Sequence, residues 1–299
     1  DWKERKGKQP GEATPFPEVV PNQDGAGTIV AVGEGVDQTR EGERVWLREA
    51  AWKRPHGTAQ ELVLIPEDRA VPLPDTASFE LGASLGIPAV TAHRALTSIE
   101  GGTGALAAGS LSGRTVLVAG GAGAVGHSAI ELAVWAGATV ITTVSSPEKA
   151  ELAAAAGAHH IVNYREGDAA VAIRRDAPDG VDLIVELAPV ENAELDAAVL
   201  GQGGTVVVYA SADPPLEIPI RPAMSNNFRY HFLLVYTMPA EAKRRAVRDV
   251  SAAAAAGALL VGADAGLPIH RYPLERAADA HAAVENGAVG KVLIEVSPG

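Results

Sequence analysis

At 299 residues, 47% hydrophobic and 21% charged, the chain has material for about two globular domains with a sizeable core. Its net charge of −12 argues against nucleic acid or an anionic membrane as the main partner, and the lack of cysteine excludes disulfides, thiolate zinc sites and a cysteine nucleophile. No apolar stretch is long enough to span a bilayer and residues 1–6 are too polar for a signal peptide, so a cytoplasmic enzyme is the expectation. Residues 26–32, 44–47, 61–65 and 70–74 read as short strands, with proline marking edges and exits. The Gly/Ala-rich segment 101–109 reads as a flexible surface loop. Strand patterns follow at 115–119, 139–144, 160–163, 181–187 and 205–209, with a late one at 230–236. They alternate with helical patterns, which implies parallel βαβ units with right-handed crossovers. An Ala-rich amphipathic helix over 240–256 stops at Gly257, and the chain returns through Pro268-Ile269 to a final strand at 291–296.

The densest chemical signal follows the strand pattern at 115–119. Gly121, Gly123 and Gly126 form G-x-G-x-x-G, with a helical segment at 127–135 directly after. One glycine permits a tight turn, one lets the backbone approach a pyrophosphate, and one lets helix and strand pack closely. The helix N-terminus offers free N–H groups and a positive dipole end to the phosphates. A plain glycine-rich turn is the alternative, and a strand before and helix after argue against it.

About 20 residues on, where NAD enzymes place an acidic residue on the ribose 2′-hydroxyl, stand Ser145 and Ser146, then Lys149. No carboxylate sits at that strand tip to repel a 2′-phosphate. Two hydroxyls and an ammonium favour NADPH over NADH. Ser146-Pro147 is also a helix start, with serine as N-cap and proline at the first helical position.

Several segments in order carry a family resemblance. They are Gly42-Glu43-Arg44-Val45, then Gly86-Ile87-Pro88-Ala89-Val90-Thr91-Ala92-His93-Arg94-Ala95-Leu96, the glycine turn, and Gly157-Ala158-His159. Asn163-Tyr164-Arg165-Glu166, Gly203-Gly204-Thr205-Val206-Val207-Val208 and Gly290-Lys291-Val292 complete the series. The chain resembles the medium-chain dehydrogenase/reductase superfamily, and within it the zeta-crystallin-like NADPH:quinone oxidoreductases. The resemblance implies an α/β fold: a Rossmann dinucleotide-binding domain over 92–238, and a GroES-like β-rich domain built from 1–91 and 239–299. It implies an active site in the cleft between the two.

It also implies roles. Ala122, Gly123, Ala124 and Val125 would cradle the pyrophosphate, and Ser145, Lys149 and Tyr164 would meet the adenosine phosphate end. Asn192 matches a cofactor contact, with a helix-start residue as its plainer reading. Tyr209-Ala210-Ser211 and Leu233-Leu234-Val235 match backbone segments beside the nicotinamide, and Thr91 matches a pocket threonine. Lys3 stands where relatives often carry tyrosine, which leaves that contact open.

Two departures shape the expected chemistry. Zinc alcohol dehydrogenases carry a Gly-His-Glu segment; here the matching stretch is Asn22-Gln23-Asp24, with Gln23 at the histidine position and no cysteine ligand. The adjacent pair His159-His160 reads as ordinary surface or core histidine, since a zinc site needs convergent ligands. A metal-free enzyme is expected, with an already electrophilic hydride acceptor. Quinones fit, because hydride addition yields a stabilised phenolate; enals and enones fit as well. A non-catalytic NADPH-binding protein stays open as a third reading. No catalytic acid can be assigned. The second departure is that relatives begin several tens of residues earlier, so an incomplete or cleaved sequence is expected. A homodimer paired through residues 232–236 is expected, because an apolar edge strand needs cover.

Overall fold

The computed structural model describes residues 16–211 and 214–296, so Lys3 lies outside the described residues. The described chain divides into two compact units, one running to Ile87 and resuming at Pro268, the other spanning Pro88–Leu267.

In the central unit an all-parallel sheet carries β4 (Thr115–Ala119), β5 (Thr139–Val144), β6 (His160–Asn163), β7 (Val181–Glu186), β8 (Leu200–Val208) and β9 (Arg229–Phe232). The spatial order is β6-β5-β4-β7-β8-β9. This is the doubly wound arrangement, and the order reverses between β4 and β7. The apolar runs that announce these strands are buried on both faces: Val116, Val118, Val140, Leu183, Ile184, Val206 and Val207 have no exposed surface. Full burial of such a side chain contributes roughly 1.5–3 kcal/mol.

The crossover helices include α3 (Ala124–Trp135), α4 (Pro147–Ala155), α5 (Ala169–Asp176), α6 (Ala193–Val199) and α7 (Ile220–Ser225). The sheet ends match the sequence patterns closely at β4, β5 and β6. Two later strands differ. β8 begins five residues before its expected start, and β9 ends at Phe232, where a 3-10 turn over Val235–Thr237 takes the place of the expected strand end.

The helix expected to belong with the chain ends lies in the central unit. It is α8 (Ala240–Ala255), and it buries Ala242, Ala246, Val250, Ala253 and Ala254. It packs against a helix over Val90–Leu96, here α2. The reason is polar as well as apolar: Asp249 of α8 accepts a hydrogen bond from His93 Nε2 at 2.9 Å and from the Leu106 amide at 2.9 Å. Burial pushes the His93 pKa down against the pull of Asp249. The same contact anchors the segment 101–109, which is the irregular, mostly exposed loop expected, at its one buried residue, Leu106.

The other unit is smaller and more irregular. β1 (Gly25–Thr28), β2 (Arg44–Leu47) and β3 (Ala70–Pro72) form an antiparallel sheet in the order β1-β2-β3. Trp46 is fully buried at its centre. Helix α1 (Phe79–Ser84) starts at an N-cap, Ser78, whose hydroxyl accepts from the Leu81 amide. After the central unit, β10 (Ile269–Pro273) and β11 (Lys291–Glu295) pair in parallel around a helix over Ala277–Glu285. The strand expected over 26–32 stops at Thr28, and residues 61–65 form no strand: Leu62 and Leu64 point outward, 69% and 78% exposed. Alternation alone supplies no hydrogen-bonding partner: Ile65 packs on Val45, Leu47 and Ala70, yet none of the sheet strands pairs with the segment.

Candidate dinucleotide site

Each strand of the parallel sheet delivers one of the expected segments at its carboxyl end. The glycine turn follows β4, Ser145 and Ser146 follow β5, and Tyr164 follows β6. Asn192 lies beyond β7, Tyr209 to Ser211 directly beyond β8, and Leu233 to Val235 directly beyond β9. Ligands of open α/β sheets bind outside these ends at the point where strand order reverses, which is where the glycine turn sits. Thr91 is the exception in position: it is buried on α2, a helix that packs on β7 and α3.

The glycine turn is built by close contacts. Gly120 takes the left-handed φ of +68°, and the amides of Gly120 and Gly121 both donate to the Thr143 carbonyl, at 3.1 and 3.3 Å. A Cβ on Gly121 would stand 2.2 Å from Thr142 Oγ1, which itself donates to the Val118 carbonyl. A Cβ on Gly126 would stand 2.4 Å from the Gly120 carbonyl oxygen. These two glycines therefore bring helix against strand. Gly123 differs: it is exposed, and the nearest atom to an added Cβ is 3.5 Å away, an ordinary contact. It is the N-cap of α3 and offers no side chain to the first-turn amides. Ala124 and Val125 beside it are half-buried, while Ala122 is buried. This leaves an exposed helix start with no side-chain cap, as a pyrophosphate site requires. Gly120 lies outside the three-glycine pattern, yet it supplies the backbone reversal; the doubled Gly120-Gly121 was its signal in the sequence.

At the β5 tip, Ser146 caps α4 by accepting from the Lys149 amide, and Pro147 takes the first helical position. The Lys149 ammonium donates to Ser145 Oγ at 2.9 Å, so the cation is held over the strand end. Glu148, one residue before it, is fully exposed, and a hydrogen bond from the Ser146 hydroxyl lowers its pKa. Tyr164 is half exposed and its amide donates to the Val144 carbonyl at 3.1 Å, which sets the residue beside the same tip.

Asn192 does not turn its side chain outward. Its Nδ2 donates to both carboxylate oxygens of Glu186, each at 3.1 Å. Glu186 is the buried last residue of β7 and also accepts from the Ala188 amide. Asp196 of α6 is buried beside it, its pKa pushed up to about 9 by burial and then by the Glu186 charge. Tyr209, whose amide donates to the Glu186 carbonyl, has its phenol pKa raised by burial and by the same carboxylate. Nothing in the reading of the sequence pointed to Glu186 or Asp196. The available signal was a carboxylate directly after the apolar run Leu183-Ile184-Val185. Ala210 is half-buried and Ser211 exposed; Leu233 and Val235 are buried and Leu234 is 53% exposed. A shallow polar pocket near Arg114, Asp182 and Gly203 lies at the opposite, amino-terminal ends of the strands and is no part of this site.

In the other unit, Gln23 is buried, and its carboxamide oxygen accepts from the Ala51 amide at 3.1 Å. Asp24 beside it accepts from the Ile87 amide at 2.7 Å and lies 3.6 Å from Lys291 Nζ; burial raises its pKa. His159 Nδ1 accepts from the Val140 amide, and His160 pairs with Asp176 at 3.4 Å. Among the described residues, no three metal-ligating side chains converge.

Known proteins carry the same pattern. Residues 1–75 match the model of the alcohol dehydrogenase GroES-like domain, and residues 124–252 match that of the zinc-binding dehydrogenase. Mouse quinone oxidoreductase is 32% identical over 283 residues, with 92% of this chain and 79% of the mouse protein covered. Tomato 2-methylene-furan-3-one reductase is 33% identical over 220 residues, with 72% of this chain and 52% of the tomato protein covered. The solved structure of a mycobacterial protein complexed with NADPH superposes with a TM-score of 0.78 at 27% identity, covering 98% of this chain and 85% of the other. The sheet and glycine turn are those of a dinucleotide-fold oxidoreductase with a GroES-like partner domain. More narrowly, the chain belongs to the zeta-crystallin-like quinone oxidoreductase branch of the medium-chain dehydrogenase/reductase superfamily.

Proposed function

We propose that the protein is a zinc-independent, NADPH-dependent reductase that transfers hydride to a quinone. The observation that carries this is the β5 tip, where the Lys149 ammonium is fixed on Ser145 Oγ beside an uncapped glycine turn. The residues present fit the coenzyme: Gly123 is an exposed helix N-cap without a side chain, and Lys149 offers a cation where a 2′-phosphate would lie. Likeness to mouse quinone oxidoreductase and to a structure complexed with NADPH supports it.

When bound, NADPH would supply a hydride; its addition to the quinone gives the hydroquinone monoanion, and a single proton from water or a side chain completes the hydroquinone, leaving NADP oxidised. Gly121 to Val125 would hold the pyrophosphate on backbone amides, and Ser145, Lys149 and Tyr164 would take the adenosine phosphate end. Thr91, Tyr209, Ala210, Ser211, Leu233, Leu234 and Val235 would line the nicotinamide side. Asn192 would act there only through its backbone or through Glu186, since its amide is held by that carboxylate. Gln23 at the position of the zinc-binding histidine and the cysteine-free sequence support work without zinc.

A second reading, reduction of activated C=C bonds in enones, is favoured by the likeness to the tomato reductase. A homodimer is supported by β9 at the sheet edge, with Phe232 65%, Leu234 53% and nearby Met224 74% exposed. The strand that would pair now ends at Phe232. No helix among the described residues is long and apolar enough to cross a membrane, which accords with a cytoplasmic location.

The test is turnover of NADPH with a panel of simple quinones, enals and enones, beside oxidation of primary alcohols with NADP. Fast quinone turnover is expected. Turnover of enones alone selects the second reading, tight NADPH binding without turnover selects a non-catalytic role, and alcohol oxidation lost to a chelator overturns zinc independence.

A further inference from the structure

Glu186 is the last residue of β7 and has no exposed surface. Its carboxylate gathers the amides of Leu187 and Ala188 and the side chain of Asn192, so it closes the whole turn between β7 and α6. Asp196, one turn into α6 and 2% exposed, hydrogen-bonds to the same carboxylate. A hydrogen bond between two carboxyl groups requires a proton on one of them, and two ionised carboxylates cannot share a buried site. The donors around Glu186 are aimed at its oxygens, while Asp196 Oδ1 has no hydrogen-bond partner. The negative charge therefore rests on Glu186 and the proton on Asp196. The other titratable groups that face the pair are phenols, Tyr209 from the end of β8 and Tyr230 from β9; both have raised pKa values and stay neutral.

The turn that Glu186 closes is also the neighbour of the glycine turn. Leu187 lies over Gly120, where an added Cβ would stand 2.4 Å from Leu187 Cδ2. We propose that Glu186 and Asp196 hold one proton between them, and that the ionised Glu186 positions the turn after β7 against the dinucleotide turn, so that the pair sets how tightly the coenzyme is held. This rests on the dinucleotide-binding reading above. Glu186 and Asp196 are positioning residues; neither is assigned a contact with the reacting atoms.

The sign of the pH dependence follows. Asp196 keeps its proton in the folded protein to about pH 9, whereas the unfolded chain releases it near the ordinary carboxylate value of 3.8. Its contribution to stability is fully present below that lower value and is lost as pH rises through about 9.

The experiment uses the full chain, with NADPH as the probe. In wild type, the infrared carbonyl band of a protonated carboxylic acid should persist at neutral pH and vanish in Asp196→Asn. The fall of melting temperature with rising pH should flatten in the same variant. NADPH binding by wild type should weaken as pH passes about 9. Asp196→Ala should weaken it by about 10-fold at neutral pH, the loss of roughly one charge-assisted contact, and Asp196→Asn should restore it and remove the alkaline weakening. Glu186→Gln should weaken binding as Asp196→Ala does; if it fails to fold, the two Asp196 variants still decide. An acid band that survives in Asp196→Asn, or an alkaline weakening unchanged by it, overturns the proposal. If wild type binds no NADPH at any pH, the dinucleotide reading fails, while the band and the stability slope still settle the shared proton.

Discussion

The two units of this protein were written into the sequence to very different depths. In the central unit, β4, β5 and β6 fall on the apolar runs residue for residue. In the other unit, one expected strand is shortened to Gly25–Thr28 and another, at 61–65, forms no strand at all. The difference is one of neighbours. A parallel strand buried on both faces is a continuous apolar run between turn residues, and its partners arrive at a regular spacing set by the crossover helices. A short antiparallel strand needs a partner that its own sequence does not name. Val45 meets Pro72 and Gly27 meets Val45, pairings between segments with no common period.

The contrast can be broken first at Trp46. It is the fully buried centre of the smaller sheet, so Trp46→Ala should cost about 3–5 kcal/mol in chemical denaturation, the range for an aromatic deleted from a core. A loss under about 1 kcal/mol would mean that the sheet is not a packed core. Next comes Gly126, where the central unit tolerates no Cβ. Gly126→Val forces a side chain onto the Gly120 carbonyl and should cost about 1–3 kcal/mol and abolish NADPH binding. Unchanged binding in titration calorimetry would remove the glycine turn from the site.

A third test separates coenzymes. Lys149→Ala should weaken NADPH by roughly 5- to 100-fold, through loss of one charge-assisted contact, and leave NADH unaffected. Equal effects on both dissociation constants would reject contact with the 2′-phosphate. The smallest effect belongs to residues 61–65: Leu64→Ser, at a position 78% exposed, should change stability by no more than about 0.5 kcal/mol. A much larger loss would show that this segment is paired in solution.

Legibility of the site followed the same rule as legibility of the fold. The glycine turn, the Ser146 cap and Lys149 depend on spacing along one short stretch, and their structural placement at the β4 and β5 ends agrees with that spacing. The side-chain partner of Asn192 was not legible, because Glu186 is visible as a partner only once β7 and α6 are packed together. Gly120 falls outside the three-glycine pattern, since the positive φ sits on a fourth glycine before it. The place of α8 was hidden because the pull on it is Asp249 meeting His93, 156 positions away in sequence.

The interrupted course of the smaller unit has a consequence during synthesis. Asp24 emerges from the ribosome before the central unit, yet its cation, Lys291, and the β10–β11 pair are made only after all of Pro88–Leu267. At ~5–20 residues per second that wait lasts tens of seconds, during which the central unit is complete in sequence and the first strands are not. The nascent chain thus carries a finished parallel sheet beside an early segment whose buried acid has yet to meet its counter-ion, and that interval is when this protein most needs protection from self-association.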